Sequence, residues 1–209
     1  MYDAILFDLD GTLIDTESLA VASGFAAFAE VGYPVEVEFM HRLVGIDGPT
    51  SAQMIRERHP GLELTALETL WRREFEAAMQ RGLSLKPGVT ELLGHALHLP
   101  RVLVTSSRRV DAHAKLGRVG LGQSFAHVVT VDDVTCAKPH PEPYLLAAEL
   151  LGVAPARCLV FEDSEAGSEA AHRAGMVVVQ VPDVVPSEGK WAHHLAVDLL
   201  SGARAAGLI

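Results

Sequence analysis

Ala4-Ile5-Leu6-Phe7-Asp8-Leu9-Asp10-Gly11-Thr12 carries four apolar residues into a segment with two carboxylates, a glycine and a hydroxyl. A run this short, built from branched and aromatic side chains, fits a strand buried on both faces, as in a parallel sheet covered by helices. Four more runs have the same character, and most stop at a polar residue. They are Val102–Val104 before Thr105, His127–Val131 before Asp132, Cys158–Phe161 before Glu162, and Met176–Val181 before Pro182.

Helical patterns separate the last four runs. From Pro87 the apolar positions are Val89, Leu92, Leu93, Ala96 and Leu97, and Pro87 suits a first turn. Pro141 opens a second pattern with Tyr144, Leu145, Ala148 and Leu151, stopped by Gly152. Ala166 to Ala174 forms a third, ended by Gly175. Alternating strands and helices predict an α/β fold with a doubly wound, mainly parallel sheet, whose ligands sit beyond the carboxyl ends of the strands.

Residues 16–83 break the alternation and contain no strand-like run. Ala22, Phe25, Ala26 and Ala29 lie at helical spacing, followed by a turn at Gly32–Pro34, a loop at Gly45–Pro49, and helical stretches near Ala52–Arg58 and Leu67–Arg81. Thr65 and Glu68 have the spacing of a capping box. The expected organisation is a helical cap, residues 16–83, inserted into an α/β core made of residues 1–15 and 84–209. Gly202–Ile209 is expected to be a loosely held terminus.

The chain has 209 residues and a formal net charge of −10, which disfavours nucleic acid and anionic membrane as partners. Two cysteines, Cys136 and Cys158, are too few for a disulfide framework and are expected as free thiols. No basic segment leads into an apolar stretch and cleavage site, and no stretch approaches the ~20 apolar residues of a membrane span, so a cytoplasmic protein is expected. His193–His194 is expected as a solvated pair, and Trp71 and Trp191 as packing residues.

At alternate strand positions Asp8 and Asp10 would point to one side. A carboxylate is a competent nucleophile toward phosphorus and a hard oxygen ligand for Mg²⁺, while a second carboxylate can handle the proton. An ordinary acidic strand-to-turn junction is the plainer alternative. Glu162-Asp163-Ser164 ends another strand in the same way, and a buried acidic pair needs hydrogen bonds or a cation. Lys138-Pro139 offers a point charge suited to phosphate but carries little signal alone. Thr105-Ser106-Ser107 can cradle phosphate at a helix start or simply cap the helix.

In order and position these four motifs resemble those of the haloacid dehalogenase-like hydrolase superfamily, along essentially the whole chain. Pro87-Gly88-Val89 and the stretch from Lys138 to Tyr144 are similar to its branch with a small helical cap, which includes sugar phosphatases, phosphoglycolate phosphatase and β-phosphoglucomutase. The resemblance implies a Mg²⁺-dependent phosphatase acting on a small phosphorylated metabolite, a sugar phosphate first among them. Asp8 would be the nucleophile, Asp10 the acid and base, and Thr105 and Lys138 would stabilise the transferring group. Gly11, Thr12, Thr105, Ser106 and Lys138 would bind phosphate. The metal would be held by Asp8, the Asp10 carbonyl and Asp163, with Glu162 supporting them.

Two departures count against a mutase: Ala20 stands where mutases carry a hinge histidine, and Gly48 where they carry a cap arginine. The second aspartate counts against dehalogenation. A phosphosugar mutase and a non-catalytic phosphate- or metal-sensing module are the alternatives. Substrate choice is expected to lie in Phe39–Ser51 and near Thr105–Arg109.

Overall fold

The structure, a computed structural model, describes residues 1–43 and 48–209. Contacts divide the chain into two compact units, one of residues 1–15 and 84–209 and one of residues 16–83. The first is built on a sheet of β1 (Ala4–Phe7), β2 (Arg101–Val104), β3 (His127–Val129), β4 (Cys158–Glu162), β5 (Val177–Gln180) and β6 (His194–Leu195). The order is β3-β2-β1-β4-β5-β6, and every neighbouring pair is parallel. All four residues of β1 are buried, as its uninterrupted apolar run requires.

Register places the ends of the central strands together. Phe7 pairs with Leu103 on one side and with Phe161 on the other, and its ring stacks on Phe161 at 5.3 Å. The next residue on each strand is then Asp8, Val104 and Glu162. The Asp8 amide donates to the Phe161 carbonyl at 3.0 Å, carrying the sheet pattern one residue past β1.

The second unit consists of α1 (Glu17–Glu30), α2 (Val37–Leu43), α3 (Gly48–Arg58) and α4 (Leu64–Arg81). Its core holds Phe28, Phe39, Met40 and Leu67, with Phe28 edge-on to Phe39 and to Trp71. Burying each of these large side chains contributes about 1.5–3 kcal/mol. Helix α1 turns a different face inward from the one its alanines suggest. Ser23, Gly24, Ala27 and Phe28 are buried, whereas Ala22, Ala26 and Ala29 are exposed. The reason is close approach: a Cβ at Gly24 would overlap Trp71 and Met40.

Helix α4 is capped by Glu63, whose carboxylate accepts from the amides of Thr65 and Ala66, so Thr65 already lies within the helix. Gly48 and Pro49, expected in a loop, form the first turn of α3, where a proline's missing N–H does no harm. Residues 45–47 of the expected loop lie outside the described residues.

The first unit's helices are α5 (Val89–His95), α6 (Arg109–Arg118), α7 (Glu142–Leu151), α8 (Glu165–Arg173) and α9 (Leu199–Ala205). Val89, Leu92, Leu93 and Ala96 are buried as expected, but Leu97 falls beyond the helix end and is 73% exposed. Helix α7 buries Pro143, Tyr144, Ala147 and Ala148 rather than Leu145. The run at His127 yields a shorter strand, because Val131 enters a 3₁₀ turn closed by reciprocal Thr130 and Asp133 bonds.

The C-terminus is held in place, contrary to expectation. Leu199, Gly202 and Ala203 are buried, and the Tyr2 hydroxyl donates to the Ala206 carbonyl at 2.9 Å. His193 is exposed and His194, in β6, is half-buried, so the pair keeps contact with solvent as expected, while His193 Nδ1 also accepts from the Val178 amide at 3.1 Å. Burial, together with His172 and His194, lowers the His193 pKa. Trp71 packs on Phe28 and donates to the Ala20 carbonyl, and Trp191 lies against His172. Both cysteines are free thiols, and burial pushes the Cys158 thiol up to about 11. No helix among the described residues is long and apolar enough to cross a membrane.

Candidate active site

Lys138 reaches the carboxyl ends of β1, β2 and β4 at once. Its Nζ donates to Asp8 Oδ1 at 2.7 Å, to Glu162 Oε1 at 2.6 Å and to the Val104 carbonyl at 2.9 Å. The Lys138 side chain is only 5% exposed. Its loop is pinned by Glu142 at the start of α7, whose carboxylate accepts from the amides of Thr135 and Cys136. Those bonds hold the Glu142 carboxyl below the usual range.

Glu162 is completely buried and fully engaged. Its Oε1 accepts from Lys138 and from the Tyr144 hydroxyl at 2.6 Å, and its Oε2 accepts from the Asp163 amide and from Ser164. A buried carboxylate persists only with such donors around it. Gly167, in the first turn of α8, leaves room for them.

Asp8 is deeply buried, and desolvation pushes its carboxyl up to about 8; Lys138 opposes this, while Glu162 and Asp10 add to it. Burial works against the Lys138 ammonium, but Asp8 and Glu162 outweigh it and raise its pKa above the ordinary value. Asp8, Glu162 and Asp163 each offer a carboxylate oxygen within 4.8 Å of the others. Three carboxylates facing one ammonium leave two negative charges when all are ionised. An all-oxygen donor set with that deficit fits a hard divalent cation of the Mg²⁺ type.

Asp163 is placed by the polar strand ends around it. Thr12 Oγ1 lies 3.5 Å from its Oδ1, and Gln180 Nε2 donates to its carbonyl at 3.2 Å. Gly11 has φ +82°, and a Cβ there would overlap the Asp163 carboxylate. A second convergence, of Cys136, His140 and Glu142, lies in the Lys138 loop, where Glu142 already serves the two backbone amides.

Asp10 is held by a different lysine. Lys115 Nζ, from α6, donates to Oδ1 at 2.6 Å and to Oδ2 at 2.8 Å, and Ser107 Oγ donates to Oδ2 at 2.8 Å. The structure therefore brings Asp8, Lys138, Glu162 and Asp163 into one cluster, with Thr12 at its edge, and places Asp10 in a second. Thr105 is buried, and its hydroxyl accepts from the Ser107 amide at 3.1 Å. Ser106 is exposed. The Gly11 amide donates to the Ile14 carbonyl at 2.9 Å, as the turn after Asp10 folds back on itself.

Lys115, Tyr144 and Gln180 were not anticipated as members of this region. Lys115 and Tyr144 each carried a signal, a polar group on an otherwise apolar helical face.

A family model described as haloacid dehalogenase-like hydrolase matches residues 2–175. The chain is 38% identical over 188 residues to YhcW of Bacillus subtilis, covering 88% of this chain and 86% of the relative. It is 33% identical over 180 residues to the phosphorylated carbohydrates phosphatase of Thermotoga maritima, covering 83% and 82%. Among solved structures it superposes on a HAD family hydrolase of Deinococcus radiodurans, crystallised with phosphate and sodium, with a TM-score of 0.85. That match has 27% identity and covers 100% of this chain and 97% of the other.

Proposed function

The chain belongs to the haloacid dehalogenase-like hydrolase family, and we propose that it is a Mg²⁺-dependent phosphatase of small phosphorylated metabolites, sugar phosphates first among them. The observation that carries this reading is Lys138 bridging Asp8 and Glu162 at the end of the central strands. The phosphorylated carbohydrates phosphatase among its relatives supports the substrate class.

In this reading Lys138 fixes Asp8 Oδ1, and Oδ2 attacks phosphorus in line with the leaving oxygen. A P–O bond to Asp8 forms as the bond to the leaving oxygen breaks, and Asp10 delivers a proton to that oxygen. Water then attacks the phosphoaspartate, Asp10 takes its proton, and the bond to Asp8 breaks to release inorganic phosphate. Lys138 and Thr105 meet the negative charge of the transferring group. Asp8, the Asp10 carbonyl and Asp163 would hold Mg²⁺, which supplies positive charge to the phosphoryl oxygens. Glu162, whose oxygens accept from Lys138, Tyr144 and Ser164, supports that shell by orienting Lys138.

The test is phosphate release from a panel of sugar phosphates, phosphoglycolate, nucleotides, polyol phosphates and p-nitrophenyl phosphate, with folded Asp8→Asn protein as control. Turnover of at least one alkyl phosphate, absent in the control, is expected. Equal release by Asp8→Asn protein overturns the nucleophile assignment. Slow acetyl phosphate hydrolysis with no turnover of any alcohol phosphate favours the sensing module.

A further inference from the structure

We propose that Lys115 is a positioning residue for Asp10, anchoring the acid–base carboxylate through a closed triangle with Ser107. The proposal rests on the reading of Asp10 given above and adds a residue that none of the four motifs contains.

Lys115 lies on the face of α6 that also buries Ala112 and Leu116. Lysine is almost never buried without a partner, and its desolvation makes it a poor choice for packing alone. Here the partner is a single carboxylate. Lys115 Nζ contacts both Asp10 oxygens at 2.6 and 2.8 Å, and it donates to Ser107 Oγ at 3.0 Å. Ser107 in turn donates to Asp10 Oδ2 at 2.8 Å, closing the triangle.

The exposures differ in a telling way. The Lys115 side chain is 11% exposed and that of Asp10 is 30% exposed. The lysine forms the buried base, and the carboxylate remains accessible on top of it. A partly exposed carboxylate without such donors would sample several rotamers, whereas one gripped at both oxygens keeps one orientation. Acid–base transfer requires a heavy-atom separation of about 2.6–3.2 Å from the reacting oxygen. One fixed carboxylate can then serve the leaving oxygen in the first half-reaction and the attacking water in the second. Lys138 and Lys115 divide the work: one orders the nucleophile, the other orders the proton carrier.

A double-mutant cycle tests this with the full-length chain: wild type, Lys115→Met, Asp10→Ala and the double variant. Each is assayed with p-nitrophenyl phosphate and with the alkyl phosphate turned over fastest in the screen above. Lys115→Met is expected to lower kcat on the alkyl phosphate roughly ten- to a hundredfold with KM little changed. With p-nitrophenyl phosphate, whose leaving group needs no proton, the first equivalent should still be released rapidly before slow turnover. In the Asp10→Ala background, Lys115→Met should change kcat by less than about twofold, because its target is gone. Lys115→Gln and Ser107→Ala carry the same cycle if Lys115→Met fails to fold. Unchanged kcat in the otherwise wild-type chain, or an equal loss in both backgrounds, overturns the proposal. Wild-type turnover by Asp10→Ala alone would instead overturn the acid–base reading beneath it.

Discussion

Gly167 stands so close to Glu162 that a Cβ at position 167 would overlap the glutamate's carboxylate. Since Glu162 Oε1 also receives Lys138 and Tyr144, a methyl group there would move the lysine that holds Asp8. Gly167→Ala is therefore expected to reduce kcat at least about tenfold and to destabilise the fold by roughly 1–3 kcal/mol, within the range for disturbing a well-packed buried site. Thermal melts and steady-state assays check both. A variant with wild-type stability and turnover would show that Glu162 can yield without consequence.

Asp8→Asn should fold and lose turnover by at least about a thousandfold, since an amide is a poor nucleophile. Burial and two neighbouring carboxylates disfavour the ionised Asp8 side chain. In EDTA the variant should accordingly be at least as stable as the parent chain. Circular dichroism melts and phosphate release measure the two effects separately.

The pH dependence has a defined sign. The Asp8 carboxyl rises from its ordinary 3.8 to about 8 in the folded chain. The folded form thus keeps a proton that the unfolded form releases. This contribution to stability is fully present below pH 3.8 and is lost as pH rises through about 8. A cation bound to the same carboxylate competes with that proton. The Mg²⁺-induced rise in Tm, measured against EDTA, should therefore grow from pH 5.5 to pH 8.5. An identical Mg²⁺ shift at every pH, or none, would contradict the assigned ligand set. Phosphatase activity should vanish in EDTA and return with Mg²⁺.

Hydrolysis, not phosphate migration, is expected when β-glucose 1-phosphate is supplied with catalytic glucose 1,6-bisphosphate. A mutase must hold a second phosphate, and neither Gly48 nor Ala20 offers a side chain that can donate to one. The Ala20 carbonyl already accepts from Trp71. A coupled assay for glucose 6-phosphate, run beside phosphate release, decides the matter. Glucose 6-phosphate forming faster than free phosphate would establish a mutase.

Strands β1 to β5, with Asp8 and Glu162–Asp163 at their ends, were legible because the apolar runs are short and most stop at a polar residue. That pattern reports burial on both faces directly. Lys138 was legible only from the order of the four motifs. Strand β6 was not legible, because His194 and Leu195 lie at the sheet edge and need no apolar run. Helix α9 was hidden by its small residues, although Gly202 packs tightly against Val179. The buried face of α1 was not legible because alanine is indifferent to burial, whereas contact with Trp71 selects Gly24. Lys115 was not legible, since a lone lysine in a helix normally faces water. Its spacing from Ala112 and Leu116 was the clue.

The chain leaves the sheet-bearing unit at Asp15 and returns to it at Ser84, and those two residues are hydrogen-bonded neighbours. The Asp15 amide donates to the Ser84 carbonyl at 3.0 Å, the Lys86 amide donates to the Leu13 carbonyl at 2.9 Å, and Ile14 and Leu85 form a bridge. An insertion whose ends already meet can lengthen, shorten or be exchanged without disturbing strand register, since loop-closure entropy grows only logarithmically with length. Residues 16–83 are thus a heritable module. Substitutions within them can diversify over generations while the strand ends that carry Asp8 and Glu162 stay as they are.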